Sequence, residues 1–252
     1  MKITTLLSVP LFLIVLGVAV QVEAVTNQSY DAKGVVGFGT GSGQQLPVDP
    51  NFPDPTLPVT PQNPDGTQPS PGGDGALIID FASSFDFGTH AISKQDQTYF
   101  AKAQAYFNSS DRTPNYVQVT DKRGTFDGWE LKVVAVSQFK QIASGPQKYP
   151  ELTGASISLK NPTPASVNAQ PAPAAQTFQS LIPGVETQVA SAGSGEGAGT
   201  WVVRWGYQTN LTSEGLTPDV ILFVPGVTPK DATAYQTTLK WILAELPTNL
   251  PT

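Results

Sequence analysis

The chain holds one histidine, His90, so any imidazole-dependent catalysis would have to be built on it. It stands in Phe87-Gly-Thr-His-Ala91, and the Gly-x-Ser-x-Gly elbow that presents a serine nucleophile occurs nowhere. A lone histidine also excludes a multi-histidine metal site. Asp127 and Glu130 form a carboxylate pair of the kind that hydrolyses glycosidic bonds, yet neighbours on a strand of this type ordinarily decorate a solvated face. Gly193-Ser-Gly-Glu-Gly-Ala-Gly199 has the glycine density of a phosphate cradle, but such cradles open a helix and the P-loop form adds Lys-Ser/Thr. Here Thr200-Trp-Val-Val-Arg-Trp205 follows, a strand pattern, so the glycines read as a β-connection. No enzyme, nucleotide, metal or cofactor signature survives this reading.

Indole chemistry is better represented. A Trp-x-Leu triplet occurs twice, as Trp129-Glu-Leu131 and Trp241-Ile-Leu243. Residues i and i+2 of a strand point to one face about 6.6 Å apart, so each triplet places an indole beside a leucine. Flat indole faces stack on sugar rings or anchor partner proteins, where tryptophan is enriched at energetic hot spots. The same spacing also suits a core, in which burying such side chains contributes roughly 1.5–3 kcal/mol each. Trp129, Leu131, Trp241 and Leu243 are therefore the candidate binding residues, and sequence leaves both roles open.

The elements that carry them read as strands. Leu77, Ile79 and Phe81 alternate, as do Trp201, Val203 and Trp205, with Val202 and Arg204 on the opposite face. Asp219 to Val224 is an apolar run of the kind buried on both faces. Asn115–Val119, Trp129–Val136, Ala155–Leu159 and Thr177–Leu181 are further candidates, separated by Pro183-Gly184, Gly193–Gly199 and Pro225-Gly226. Tyr99 to Phe107 mixes helical alanines with strand aromatics and is read as a strand. Strands at this spacing, without amphipathic helices between them, predict a mostly-β protein: an antiparallel β-sandwich or barrel, Ig-like in general architecture.

Tyr235-x-x-x-Leu239-x-Trp241-x-Leu243, followed by Pro247, extends the second triplet into a longer pattern. Together with the earlier Trp129-Glu-Leu131, it resembles the signature of the WxL cell-wall-binding domain of Gram-positive bacteria. Gly195-Glu-Gly-x-Gly-x-Trp201 resembles a hairpin of that family, and Tyr30 to Phe38 resembles the lead segment of its small members. The resemblance implies a non-enzymatic surface protein held non-covalently on the wall, usually through peptidoglycan. It also implies assembly with other WxL proteins and a membrane-anchored companion. An adhesin for host or plant components, or a complex subunit without glycan contact, are the competing readings.

Composition is consistent with export. Lys2, the apolar stretch Leu6 to Val20 and Val22-Glu-Ala24 read as a signal peptide over residues 1–24, too short to span a bilayer, which takes roughly 20 apolar residues. A mature protein beginning near Val25 would be extracellular and soluble. It has no cysteine, so an ordinary core must hold it together. Asp31, Asp49, Asp54, Asp65 and Asp74 face Lys33 alone in the first part, while the remainder is close to charge balance. No clustered basic surface for nucleic acid is visible. Nor can a near-neutral domain hold an anionic polymer by bulk attraction, so wall binding would need specific contacts.

Nine prolines lie between Pro47 and Pro71. Proline fixes φ and removes a donor, so the stretch reads as a spacer reaching roughly 80 Å at about 3.1 Å per residue. The expected order is a lead over 25–46, possibly an edge strand, a Pro/Asp-rich spacer over 47–75 and the β domain over 76–252.

Overall fold

The computed structural model describes residues 29–143, 147–168 and 170–246. The expected signal peptide lies outside them, as does Pro247. Contacts divide the chain into Met1–Phe38 and Gly39–Thr252. In the first unit, residues 29–38 form no strand, and Tyr30 and Phe38 are 93% and 94% exposed. The second unit is antiparallel β throughout, and among the described residues a single 3-10 turn at Gln208–Asn210 is its helical content.

Three four-stranded sheets make up most of this unit. The first has β2 (Leu77–Ala82) at one edge, then β6 (Tyr116–Asp121), β14 (Gly199–Trp205) and β10 (Pro162–Ala165). In the second, β17 (Leu239–Glu245) lies beside β7 (Trp129–Ala135), followed by β13 (Thr187–Ala192) and β11 (Ala174–Ala175). The third runs β3 (Gln97–Lys102), β15 (Leu216–Val224), β9 (Ser156–Leu159) and β12 (Phe178–Leu181). A three-stranded flap, β1 (Pro61–Gln62), β4 (Gln104–Tyr106) and β5 (Ser109–Thr113), and the pair β8 (Lys140–Gln141) and β16 (Tyr235–Gln236) complete it.

The mostly-β, antiparallel class and the strand reading of Tyr99 to Phe107 agree with the sequence, but the two-layer Ig-like sandwich does not. Val117, Val119 and Trp205 of the first sheet, Trp129, Leu131 and Val133 of the second, and Leu159, Val220 and Leu222 of the third all enter one buried cluster. The core is thus shared by three sheets rather than held between two. Nor is Asp219–Val224 buried on both faces, since Ile221 and Phe223 are only half-buried.

The alternation expected of Leu77, Ile79 and Phe81 also breaks. A register shift between Ile79 and Phe81 sets Ile79 opposite Val119 and Phe81 opposite Gln118. An extra residue in a strand reverses the inward-outward order of the residues after it. Leu77, Ile79 and Ala82 pack against the central cluster, while Phe81 turns to a second one with Val48, Tyr116 and Val202.

That second cluster ties the start of the proline-rich stretch, expected as a spacer, to the body of the protein. Val48 is fully buried, its N–H donates to Gln118 Oε1 at 2.8 Å, and Gln118 Nε2 donates to the Leu46 carbonyl at 3.1 Å. The Arg204 guanidinium donates to the Pro50 carbonyl, and Phe107 N–H to the Thr60 carbonyl at 2.9 Å. β1 pairs with β4, Pro61 standing opposite Tyr106 on an edge where its missing N–H is tolerated. Proline removes donors but leaves carbonyls, and the body of the protein supplies the donors. With the arm on one face and the central cluster on the other, every residue of β6 is buried.

The arm's anchor rests on an acid. At the β2 irregularity Asp80 is buried, and its Oδ2 accepts from Thr120 Oγ1 at 2.6 Å and Gln118 Nε2 at 3.0 Å, while Oδ1 lacks a partner. Burial pushes its carboxyl up to about 6, against the pull of those two hydrogen bonds and of Lys122. The folded state therefore holds the proton more tightly than the unfolded chain. Its contribution to stability falls as pH rises through the window from about 4 to about 6, by roughly 3 kcal/mol in all at about 1.4 kcal/mol per pH unit. Asp80→Asn should flatten this slope and raise the melting temperature at neutral pH, as read by thermal unfolding between pH 4 and 7. Limited proteolysis should leave a resistant fragment that begins before Val48 and retains Pro50 to Pro71.

Candidate functional site

The two triplets lie on neighbouring strands. β7 and β17 pair antiparallel with Leu131 opposite Leu243, Trp129 opposite Glu245 and Trp241 opposite Val133. The four candidate residues are thus brought into one two-stranded patch. They are not equivalent. Trp129 and Leu131 are fully buried in the middle of the sheet, whereas Trp241 and Leu243, on the edge strand, are half-buried against the central cluster.

Strand alternation accounts for β7. Trp129, Leu131, Val133 and Ala135 face inward, and Glu130, Lys132 and Val134 lie on the other face, partly exposed. Lys132 Nζ sits 2.9 Å from Glu130 and 3.9 Å from Glu186. Glu130 is thereby committed to a surface ion pair, as a solvated face would have it.

A buried indole needs an acceptor for its N–H, and the glycine-rich connection supplies it. Trp129 Nε1 donates to the Gly197 carbonyl at 3.0 Å, and Trp201 Nε1 donates to the adjacent Ala198 carbonyl at 2.9 Å. Gly197 has φ +70°, and a Cβ there would stand 2.5 Å from Ala192 Cβ and 2.7 Å from Trp129 Nε1. Gly128, at φ +84°, would push a Cβ to 2.2 Å from the Ala192 carbonyl oxygen. Neither position admits a side chain. Glu196 closes the turn by accepting the Gly193 N–H at 2.8 Å. The connection is not a hairpin, however: it passes from β13 in the second sheet to β14 in the first.

Trp241 closes a file of aromatic rings. Its ring centroid is 5.9 Å from that of Trp205, which meets Phe85 edge-on at 5.9 Å, and Phe85, Phe87 and Phe139 follow at 6.3 and 6.5 Å. Trp205 is fully buried with its Nε1 unpartnered. Tyr235, the first residue of the terminal pattern, accepts the Asp231 N–H and donates to the Tyr149 carbonyl, each at 2.8 Å. The Tyr-x-x-x-Leu-x-Trp-x-Leu spacing thus ties a loop to the edge strand that follows.

Arg123, which no sequence signal singled out, fastens the start of the first triplet. Its guanidinium forks onto Asp121 at 3.0 and 2.7 Å, donates to the Gly128 carbonyl at 2.7 Å and lies 3.6 Å from Glu245 of β17. The Asp121 hydrogen bonds raise its pKa further. Asp127 adds negative charge near Arg123.

His90 stands apart from the triplets in its partners. Its ring stacks on Tyr99 at 3.9 Å and 16°, and Nε2 lies 2.5 Å from the Phe87 carbonyl. Among the described residues no group of three or more His, Cys, Asp or Glu side chains is placed to hold a metal, and no helix is long and apolar enough to cross a membrane.

The model of the family described as "WxL domain surface cell wall-binding" matches residues 25–247. No curated protein and no solved structure matches the chain.

The geometry predicts unequal costs for the two triplets. Trp129→Ala empties a fully buried site and orphans the Gly197 carbonyl, so it should cost about 3–5 kcal/mol. Trp241→Ala, half-buried on an edge, should cost about half as much. Urea unfolding midpoints measure both, and equal losses would contradict the burial difference.

Proposed function

The chain belongs to the WxL domain surface cell wall-binding family, and on that premise we propose that it is a secreted surface protein attached non-covalently to peptidoglycan. The observation that carries this reading is the family match across residues 25–247, together with the in-register pairing of its two Trp-x-Leu triplets. The attachment is non-enzymatic: neither His90, stacked on Tyr99, nor Glu130, ion-paired with Lys132, has the partners of an acid–base catalyst.

The paired triplets act chiefly as scaffold. Trp129 offers no face to a ligand, so its part in wall retention is to hold β7 and the Gly197 turn in place. Trp241 retains some exposure and is the indole able to touch a ligand directly. We further propose that the protein assembles with other WxL proteins and a membrane-anchored companion at the cell surface. The residues 29–38, with Tyr30, Val35 and Phe38 almost fully exposed, offer apolar side chains for such contacts.

Purified peptidoglycan stripped of all protein provides the test. The chain should sediment with it unaided and release no soluble muropeptides. Retention that requires added surface proteins would instead make it a complex subunit without direct glycan contact. Retention on host or plant matrix but not on peptidoglycan would make it an adhesin. Trp129→Ala should lose retention and melting temperature together, and a Trp241 variant that melts like the parent yet no longer sediments would place the ligand on that indole.

A further inference from the structure

Three four-stranded sheets with two edges each leave six edges, and five of them are blunted or covered, as soluble proteins require. β10 carries Pro162 and Pro164, β11 is two residues long, and β12 is broken by a register shift between Phe178 and Leu181. The Ile79 carbonyl of β2 accepts the Gly73 N–H at 3.1 Å, and Lys102 of β3 donates its N–H to the Asp86 carbonyl at 2.8 Å. β17 is the exception. It is seven residues long, free of proline and in unbroken register with β7, its strand partner among the described residues. Val136 N–H donates to the Thr238 carbonyl at 2.9 Å, so Lys240, Ile242 and Ala244 turn their backbone groups toward β7. Those of Leu239, Trp241, Leu243 and Glu245 point away from the sheet. Lys240 and Glu245 lie toward the ends of the strand, and Trp241, Ile242 and Leu243 between them are half-buried.

We infer that β17 is a dimerisation edge, to which a second copy of this chain adds its own β17, antiparallel and centred on Ile242. Centring there pairs the whole strand, Leu239 to Glu245. The Trp-x-Leu spacing is then self-complementary. Trp241 of each copy stands opposite Leu243 of the other, which covers what the central cluster leaves exposed of both. The outward backbone groups find partners, and two four-stranded sheets become one. Lys240 falls opposite Ala244 and Glu245 opposite Leu239, so no like charges are opposed. Residues 29–38 of another copy are the rival occupant, but Gly34 and Gly37 make that segment a poor strand former. A single strand pair is at the small end of specific interfaces, so the dimer should form in the micromolar range. The inference goes beyond wall attachment and does not depend on it.

The test is analytical ultracentrifugation of the full chain, with Ile242 as the lever. Ile242 lies on the two-fold axis, in a pair with about 4.5 Å between Cα atoms, within disulfide reach. The chain has no cysteine of its own. Ile242→Cys should therefore give a disulfide-linked dimer under mild oxidation. Lys240→Cys, whose two copies would stand about 13 Å apart along the strands, should not. Ile242→Glu faces Lys132 within the chain but its own charge across the axis. It should melt like the parent and weaken self-association about tenfold or more. An equal mixture with Ile242→Lys should recover the dimer. A chain that sediments as a monomer into the high micromolar range would overturn the inference, as would equal cross-linking through Lys240→Cys and Ile242→Cys. A dimer indifferent to Ile242→Glu but lost on Val35→Asp would overturn it too, and would give the edge to residues 29–38.

Discussion

Everything about the paired triplets depends on one buried hydrogen bond, from the Trp129 indole to the Gly197 carbonyl. An indole N–H without an acceptor in a dry core costs on the order of 1–3 kcal/mol. The acceptor comes from a turn that must approach so closely that only glycine fits. That turn also carries the chain from the second sheet to the first and offers its next carbonyl to Trp201. The position of the indole, the route of the chain between sheets and the glycine spacing are therefore one constraint expressed three ways.

The edge strand extends the constraint. Leu243 opposite Leu131 and Trp241 opposite Val133 cover the flank of β7, and Trp241 reaches across to Trp205 of the first sheet. Arg123 ties Asp121 at the end of β6 to the backbone before Trp129 and comes near Glu245. Two sheets are joined here by the aromatic contact and by Arg123, which its buried fork on Asp121 holds in place to donate to the Gly128 carbonyl. The Glu245 contact is exposed and worth little by itself.

Much of this architecture is legible in the sequence. Two-residue periodicity marks β7, β14 and β9, and the triplets mark the strands that pair. The features that stay hidden depend on long-range partners. The bulge in β2 reverses the face of Phe81, and alternation alone cannot announce an inserted residue. The proline-rich arm looks unable to form structure because its own donors are missing. Its carbonyls are served by Gln118 and Arg204, which lie well over 60 residues away in the chain. Arg123 carries no local pattern. A third sheet sharing the core is likewise invisible in a count of strands without their pairing.

The register between β7 and β17 has a consequence for how the molecule is made. Leu131 and Leu243 meet across more than a hundred residues, and such distant pairings form slowly because the intervening chain must be gathered first. Until residues 239–245 arrive, one edge of β7 stands open with its backbone donors and acceptors unpaired. An open, apolar edge recruits other chains. A chain cut short of Leu239 is thus a seed for aggregation rather than a smaller version of the protein, and a chaperone holding that edge would protect it during synthesis and export.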